Sequence, residues 1–72
     1  MKPETIEKRI VDQFGGKLLL NIKEATAVLG FKDRTATKNF LKGVPVVDMG
    51  KEKKYLAADI ARRIAGSIIY EE

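Results

Sequence analysis

The stretch "NIKEATAVLGFKDRTATKNFLKG", residues 21–43, restricts the folds open to this chain more than any other feature. It carries two helix starts and two helix stops within a short distance. Asn21 is a capping residue, and Glu24 stands where a capping-box side chain reaches back to the cap amide. Ile22, Ala25, Val28 and Leu29 form one apolar face, and Gly30 suits the left-handed position after a last helical turn. Asp33 then caps a second helix, which Gly43 can end. Two short helices joined by a tight, glycine-containing turn make a helix-turn-helix pattern. At about 100° per residue, Ala36 and Phe40 fall on the inner side of the second helix. Arg34, Thr35, Lys38 and Lys42 fall on the outer side, with Thr37 and Leu41 at the margins. The outer side thus holds three basic groups and a hydroxyl, and no acid.

The flanks supply the rest of a domain. "KPETIEKRIVDQF" predicts an amino-terminal helix, with Pro3 in its first turn, Glu4 and Glu7 near its positive end, and Gly15-Gly16 as its stop. Ile6, Ile10 and Phe14 share one stripe of it, which faces the core. "VPVVDM" and "KKYLA" predict two strands, with Pro45 confining the first to an edge or a strand start. A loop of Gly50, Lys51 and Glu52 between them would set Asp48 against Lys54 and Val47 against Tyr55. "ADIARRIAGSIIYEE" closes the chain as a helix, with Ile60, Ile64 and Ile68 on one stripe, weakened at Gly66 and free to turn away or fray from Ser67. The expected fold is α+β and mostly helical: a helix, a helix pair, a two-stranded hairpin and a final helix, the order of a winged helix-turn-helix. With 72 residues the chain is one domain, an amino-terminal helix over 1–16 packing on a unit over 17–72.

Composition excludes several function classes. There is no cysteine and no histidine, so thiol chemistry and the common nitrogen and sulfur metal ligands are absent. No phosphate loop of the GxxxxGK[ST] kind occurs, and no nucleophile–base pair suggests itself, so no enzyme and no cofactor is expected. The apolar runs are far shorter than the ~20 residues that span a bilayer, and no signal peptide is visible, which sets the expectation at a cytoplasmic protein without membrane or small-molecule partner. The net charge is +4, and its distribution is uneven. Residues 1–16 are neutral, residues 17–56 carry nine basic and four acidic side chains, and residues 57–72 carry two and three. A basic middle between near-neutral flanks points to a polyanion surface.

In this order the pieces "LLLNIKEATAVLG", "RTATKNFLKG-VPVV" and "KKYLAADI" resemble the excisionase-like branch of the MerR winged-helix superfamily. The resemblance covers about residues 18–65. It implies a second motif helix in the major groove of duplex DNA and a hairpin wing along a neighbouring minor groove. The chain departs from the family pattern at three places. Lys32 stands where a serine or threonine usually caps, which moves the cap to Asp33. Tyr55 follows Gly50 by five positions instead of three, so the wing is longer. The amino-terminal helix has no counterpart in the family's core pattern.

The expected DNA contacts on the recognition helix are Arg34, Thr35, Thr37, Lys38 and Lys42. Arg34 can fork onto a guanine edge and Thr35 can reach a base or a phosphate, whereas Lys38 and Lys42 suit phosphates, which position without specifying. Lys51, Lys53 and Lys54 are the wing contacts, favoured by the negative potential of a narrow minor groove. Lysines also protect a sheet edge from pairing with another chain, and strand alternation keeps Lys53 and Lys54 from pointing the same way. Lys23, Lys32 and Arg62 are further candidates for phosphate contact, Arg63 is expected to be solvated, and Tyr55 is expected beneath the wing with its hydroxyl at the rim. The resemblance implies an excisionase that binds and bends double-stranded DNA beside an integrase or recombinase and neighbouring copies of itself. A transcription regulator of the same fold is the alternative. Further alternatives are a small-terminase-type recognition domain, and a protein-interaction module that docks through the Ile6/Ile10/Phe14 stripe or the "SIIYEE" tail.

Overall fold

The computed structural model describes Met1–Tyr70. Its elements run α1 (Pro3–Gln13), β1 (Leu19–Leu20), α2 (Ile22–Leu29), α3 (Arg34–Phe40), β2 (Val47–Asp48), β3 (Lys53–Leu56) and α4 (Ala57–Gly66). About half of the chain is helical, and the three strands form an antiparallel sheet in the order β1-β3-β2, so the architecture is α+β.

The sheet has one strand more than the expected hairpin. Leu19 pairs with Leu56 and Leu20 with Tyr55, and the Ala57 amide donates to the Leu18 carbonyl at 2.9 Å. Leu20 is fully buried. β1 is too short to show strand periodicity in the sequence, and only its pairing with β3 makes it a strand.

α1 packs chiefly on α4. Ile6 and Ile10 are buried against a core that includes Ile60 and Ala61 of α4, Leu20, Ala25, Leu41 and Ala57, with Phe14 and Ile64 half-buried at its margin. Burying a side chain such as Ile60 fully contributes about 1.5–3 kcal/mol, and that scale makes this seam the main apolar anchor of the domain. α4 stops at Gly66, and Ser67 follows it as the cap residue. Ile68 is only partly covered, and Ile69 and Tyr70 are 82% and 78% exposed. Glu71 and Glu72, the end of the "SIIYEE" segment, lie outside the described residues.

α2 has the predicted caps. The Glu24 amide donates to Asn21 Oδ1 at 2.8 Å, and the Asn21 amide donates to Glu24 Oε1 at 3.0 Å, which completes the capping box. Gly30 ends the helix at φ 75°, a left-handed conformation that costs glycine nothing sterically. Asp33 caps α3 by accepting from the Ala36 amide at 2.9 Å. Phe31 meets Phe40 edge to face, with ring centroids 6.1 Å apart, and pins the turn between the two helices.

α3 is rotated from the expected orientation. Thr37, placed at the margin by sequence, is its buried residue and Leu41, the other marginal position, is buried at its C-cap, whereas Ala36 and Phe40 are only half-buried. The reason is a polar contact that sequence patterning ranks as unfavourable. The Thr37 hydroxyl donates to Thr26 Oγ1 at 2.8 Å, and the Thr26 hydroxyl donates to the Ile22 carbonyl at 2.7 Å. A short chain of satisfied hydroxyls lets threonine occupy the interface between α2 and α3.

Candidate functional site

The hairpin register decides which lysines meet the helix pair. Val47 pairs with Lys54 and Asp48 with Lys53, one residue away from the expected pairing. The Met49 amide donates to the Glu52 carbonyl at 2.7 Å, so Gly50 and Lys51 alone form the tip. Gly50 has φ 91° at the first tip position, where primed hairpin turns place positive φ. The Gly50 amide also donates to Asp48 Oδ1 at 2.9 Å, which holds the tip closed.

Pleating sends Lys53 and Lys54 to opposite faces of β3. Lys53 lines two adjoining shallow clefts. One, of about 310 Å³, also contains Asn21, Ile22, Lys23, Arg34 and Glu52. The other, of about 360 Å³, contains Ile22, Lys38, Val46, Gly50, Lys51 and Tyr55. Ile22 and Lys53 are common to both, so the clefts form one groove between the start of α2, the exposed side of α3 and the hairpin. Lys23, Arg34, Lys38, Lys51 and Lys53 are exposed along it, and among the described residues none of the five is in a salt bridge. Glu52 is the one acid on its walls.

Lys54 belongs to a different environment. Its ammonium lies 3.7 Å from Glu52 Oε2, and its side chain is largely covered. It also contributes a small attraction to Glu24. The hydrogen bond from Lys17 at 2.8 Å is the main cause that holds the Glu24 carboxyl below its ordinary value, followed by the bond from the Asn21 amide. Lys54 is therefore a partner for acids on its own domain and does not line the groove.

The other predicted contacts divide in the same way. Thr35 and Lys42 are exposed on or just beyond α3 but line neither cleft, and Lys32 is exposed in the turn before α3. Thr37 is withdrawn from the surface: it is 0% exposed and its hydroxyl is engaged with Thr26, so it has no atom to offer a ligand. Arg62 is exposed, and its guanidinium pairs with Asp59 at 2.8 Å. Arg63 is not solvated as expected; its Nη2 donates to the Lys42 carbonyl just past the end of α3, and its Nε is buried with no partner among the described residues. At the start of α2 the Asn21 and Glu24 amides are already bonded within the capping box, so an anion near Lys23 would meet the lysine and not those amides.

Sequence reasoning missed the apolar floor of the groove. Ile22 and Tyr55 are half-buried and Val46 is 43% exposed between the lysines. Ile22 reads as core from its helical spacing, and Val46 reads as strand interior. Only the packing of the hairpin against α2 and α3 brings them to one surface. Among the described residues, no group of three or more acidic, cysteine or histidine side chains could hold a metal ion. No helix there is long and apolar enough to cross a membrane. Comparisons with protein-family models, curated proteins and solved structures return no match for this chain.

Proposed function

We propose that this chain is a double-stranded DNA-binding domain of the winged-helix kind. The observation that carries the reading is the position of Lys53. It joins Lys23 and Arg34 on one side to Lys38 and Lys51 on the other, in a groove shared by α2, α3 and the hairpin. Five cations without an ion-pair partner among the described residues repel one another along one groove, and that arrangement is stabilised by a ligand with regularly spaced negative charge.

In this reading α3 enters the major groove and the hairpin follows the adjacent backbone. Arg34, at the first turn of α3, reads base edges through its planar fork. Lys23, Lys38, Lys51 and Lys53 contact phosphates and set the register. Thr35 and Lys42 extend the contact along the outer side of α3. The biological role that fits best is an excisionase, a factor that bends DNA so that an integrase assembles in the excising direction. A binding domain without catalytic groups can do this, because a bend costs about 1–6 kcal/mol that added contacts return.

Duplex titration at several salt concentrations tests the binding. With about four phosphate contacts, log affinity falls with log salt at a slope of about −4. Absence of binding to any duplex at ~50 mM salt, where non-specific binding is expected, sinks the proposal. Footprinting on the DNA that surrounds the gene separates the roles: protection at an attachment end supports the excisionase, and protection at a promoter supports a regulator.

A further inference from the structure

The segment after α4 has a composition that matches the groove. Ile69 and Tyr70 stand almost fully exposed, and Glu71 and Glu72 follow them in sequence. Two large apolar side chains are costly to leave in water, and two acids follow them in sequence. The groove offers the complement, with Ile22, Val46 and Tyr55 as an apolar floor and Lys38, Lys51 and Lys53 as a cationic rim. The same elements are not offered together elsewhere along the two clefts, because the half beside Lys23 and Arg34 carries Glu52.

We infer that residues 68–72 of one copy dock in the groove of a second copy, with Ile69 and Tyr70 on the floor and Glu71 and Glu72 against the lysines. The tail's own position favours a second copy over the same chain. The Tyr70 hydroxyl accepts a hydrogen bond from the Met1 nitrogen at 3.2 Å, which keeps the tail beside α1, and α1 packs chiefly on α4. The groove is built from α2, α3 and the hairpin. Two tails and two grooves satisfy each other in a reciprocal pair, the self-complementary arrangement of a two-fold dimer. This rests on the reading of the groove as the DNA site, and it adds regulation: tail and phosphates compete for Lys38, Lys51 and Lys53, so self-association and DNA binding exclude each other.

The test uses the full chain and a double variant, Ile69→Ser with Tyr70→Ser, at exposed positions where folding is unaffected. Sedimentation equilibrium without DNA is expected to show the wild type associating at low salt, up to about 1 mM protein, the weak end of the affinity scale. The variant stays monomeric, and raising the salt dissociates the wild type. A monomeric wild type at every concentration, or a variant that associates equally, overturns the inference whether or not the protein binds DNA. A photo-crosslinker at position 70 is expected to join tagged to untagged copies through the α2–α3–hairpin groove. Crosslinks confined within one chain overturn the assignment to a second copy. The competition is read separately: adding a duplex disperses the wild-type dimer, and a dimer that persists at saturating duplex overturns the shared site. Loss of duplex binding with the dimer intact would count against the DNA reading alone.

Discussion

The α1–α4 half and the α2–α3–hairpin half of this domain share one apolar core but differ in the polar contacts added to it. In the first, Ile6 and Ile10 meet Ile60 and Ala61, and the association is apolar burial. In the second, Leu20, Ala25 and Leu41 enter the same core, and polar contacts are added at the element ends: the Asn21–Glu24 capping box, the Asp33 cap and the Thr26–Thr37 hydroxyl pair, with the Arg63 bond to the Lys42 carbonyl tying α4 to the end of α3. The elements that carry these added polar contacts also carry the basic groove.

Ile60→Ala makes the strongest attack on this contrast. Deleting a fully buried isoleucine in the seam should cost about 2–5 kcal/mol by chemical denaturation, through lost burial and the cavity left behind. A loss below about 1 kcal/mol would mean that the seam is not the anchor, since even small core deletions exceed that. Next in size, Arg34→Ala should weaken duplex binding by about 1–3 kcal/mol and relax sequence preference, while stability stays unchanged. If stability falls instead, Arg34 belongs to the scaffold.

Thr37→Val keeps the shape but removes one hydroxyl from the α2–α3 interface, with an expected cost of about 1 kcal/mol in folding stability. An unchanged denaturation midpoint would show that apolar packing alone governs this half. A smaller effect separates the two faces of β3. Lys53→Ala should reduce the salt slope of duplex binding by about 1, as for the loss of one phosphate contact. Lys54→Ala, on the face that meets Glu52, should leave the slope unchanged, and equal effects would remove the distinction between the faces.

The smallest expected effect is pH-dependent. Glu24 has a folded-state pKa below its ordinary 4.5, so its stabilising contribution is complete above that value. The contribution is lost as pH falls through the lower folded-state value, because protonation releases Lys17 and weakens the box. Thermal midpoints of wild type and Glu24→Gln should therefore differ at neutral pH and converge in acid. Lines that stay parallel would show that Glu24 carries no linkage.

Helix starts and stops were legible because each depends on a few adjacent residues. Asn21, Glu24, Gly30 and Asp33 act within their own turns, and the structure places them as their chemistry requires. The amino-terminal stripe was equally readable, since Ile6 and Ile10 repeat on one face of an eleven-residue helix. Thr37 was misread because a hydroxyl counts as polar until its partner is known, and Thr26 lies on another helix. Arg63 was misread for the same reason, since its acceptor is a backbone carbonyl 21 residues away.

The lysines of "GKEKKY" show where local information ends. Local chemistry alone makes the run basic, lets a glycine open its turn, and forces Lys53 and Lys54 apart, because pleating alternates side chains whatever the partner. Which of the two lines the groove depends on register, and a shift of one residue exchanges the faces. That shift was fixed only when β3 paired with β1 through Leu20 and with β2 through Val47. Long-range pairing and the burial of Leu20 selected one register, and with it Lys53 for the groove and Lys54 for the domain's own acids.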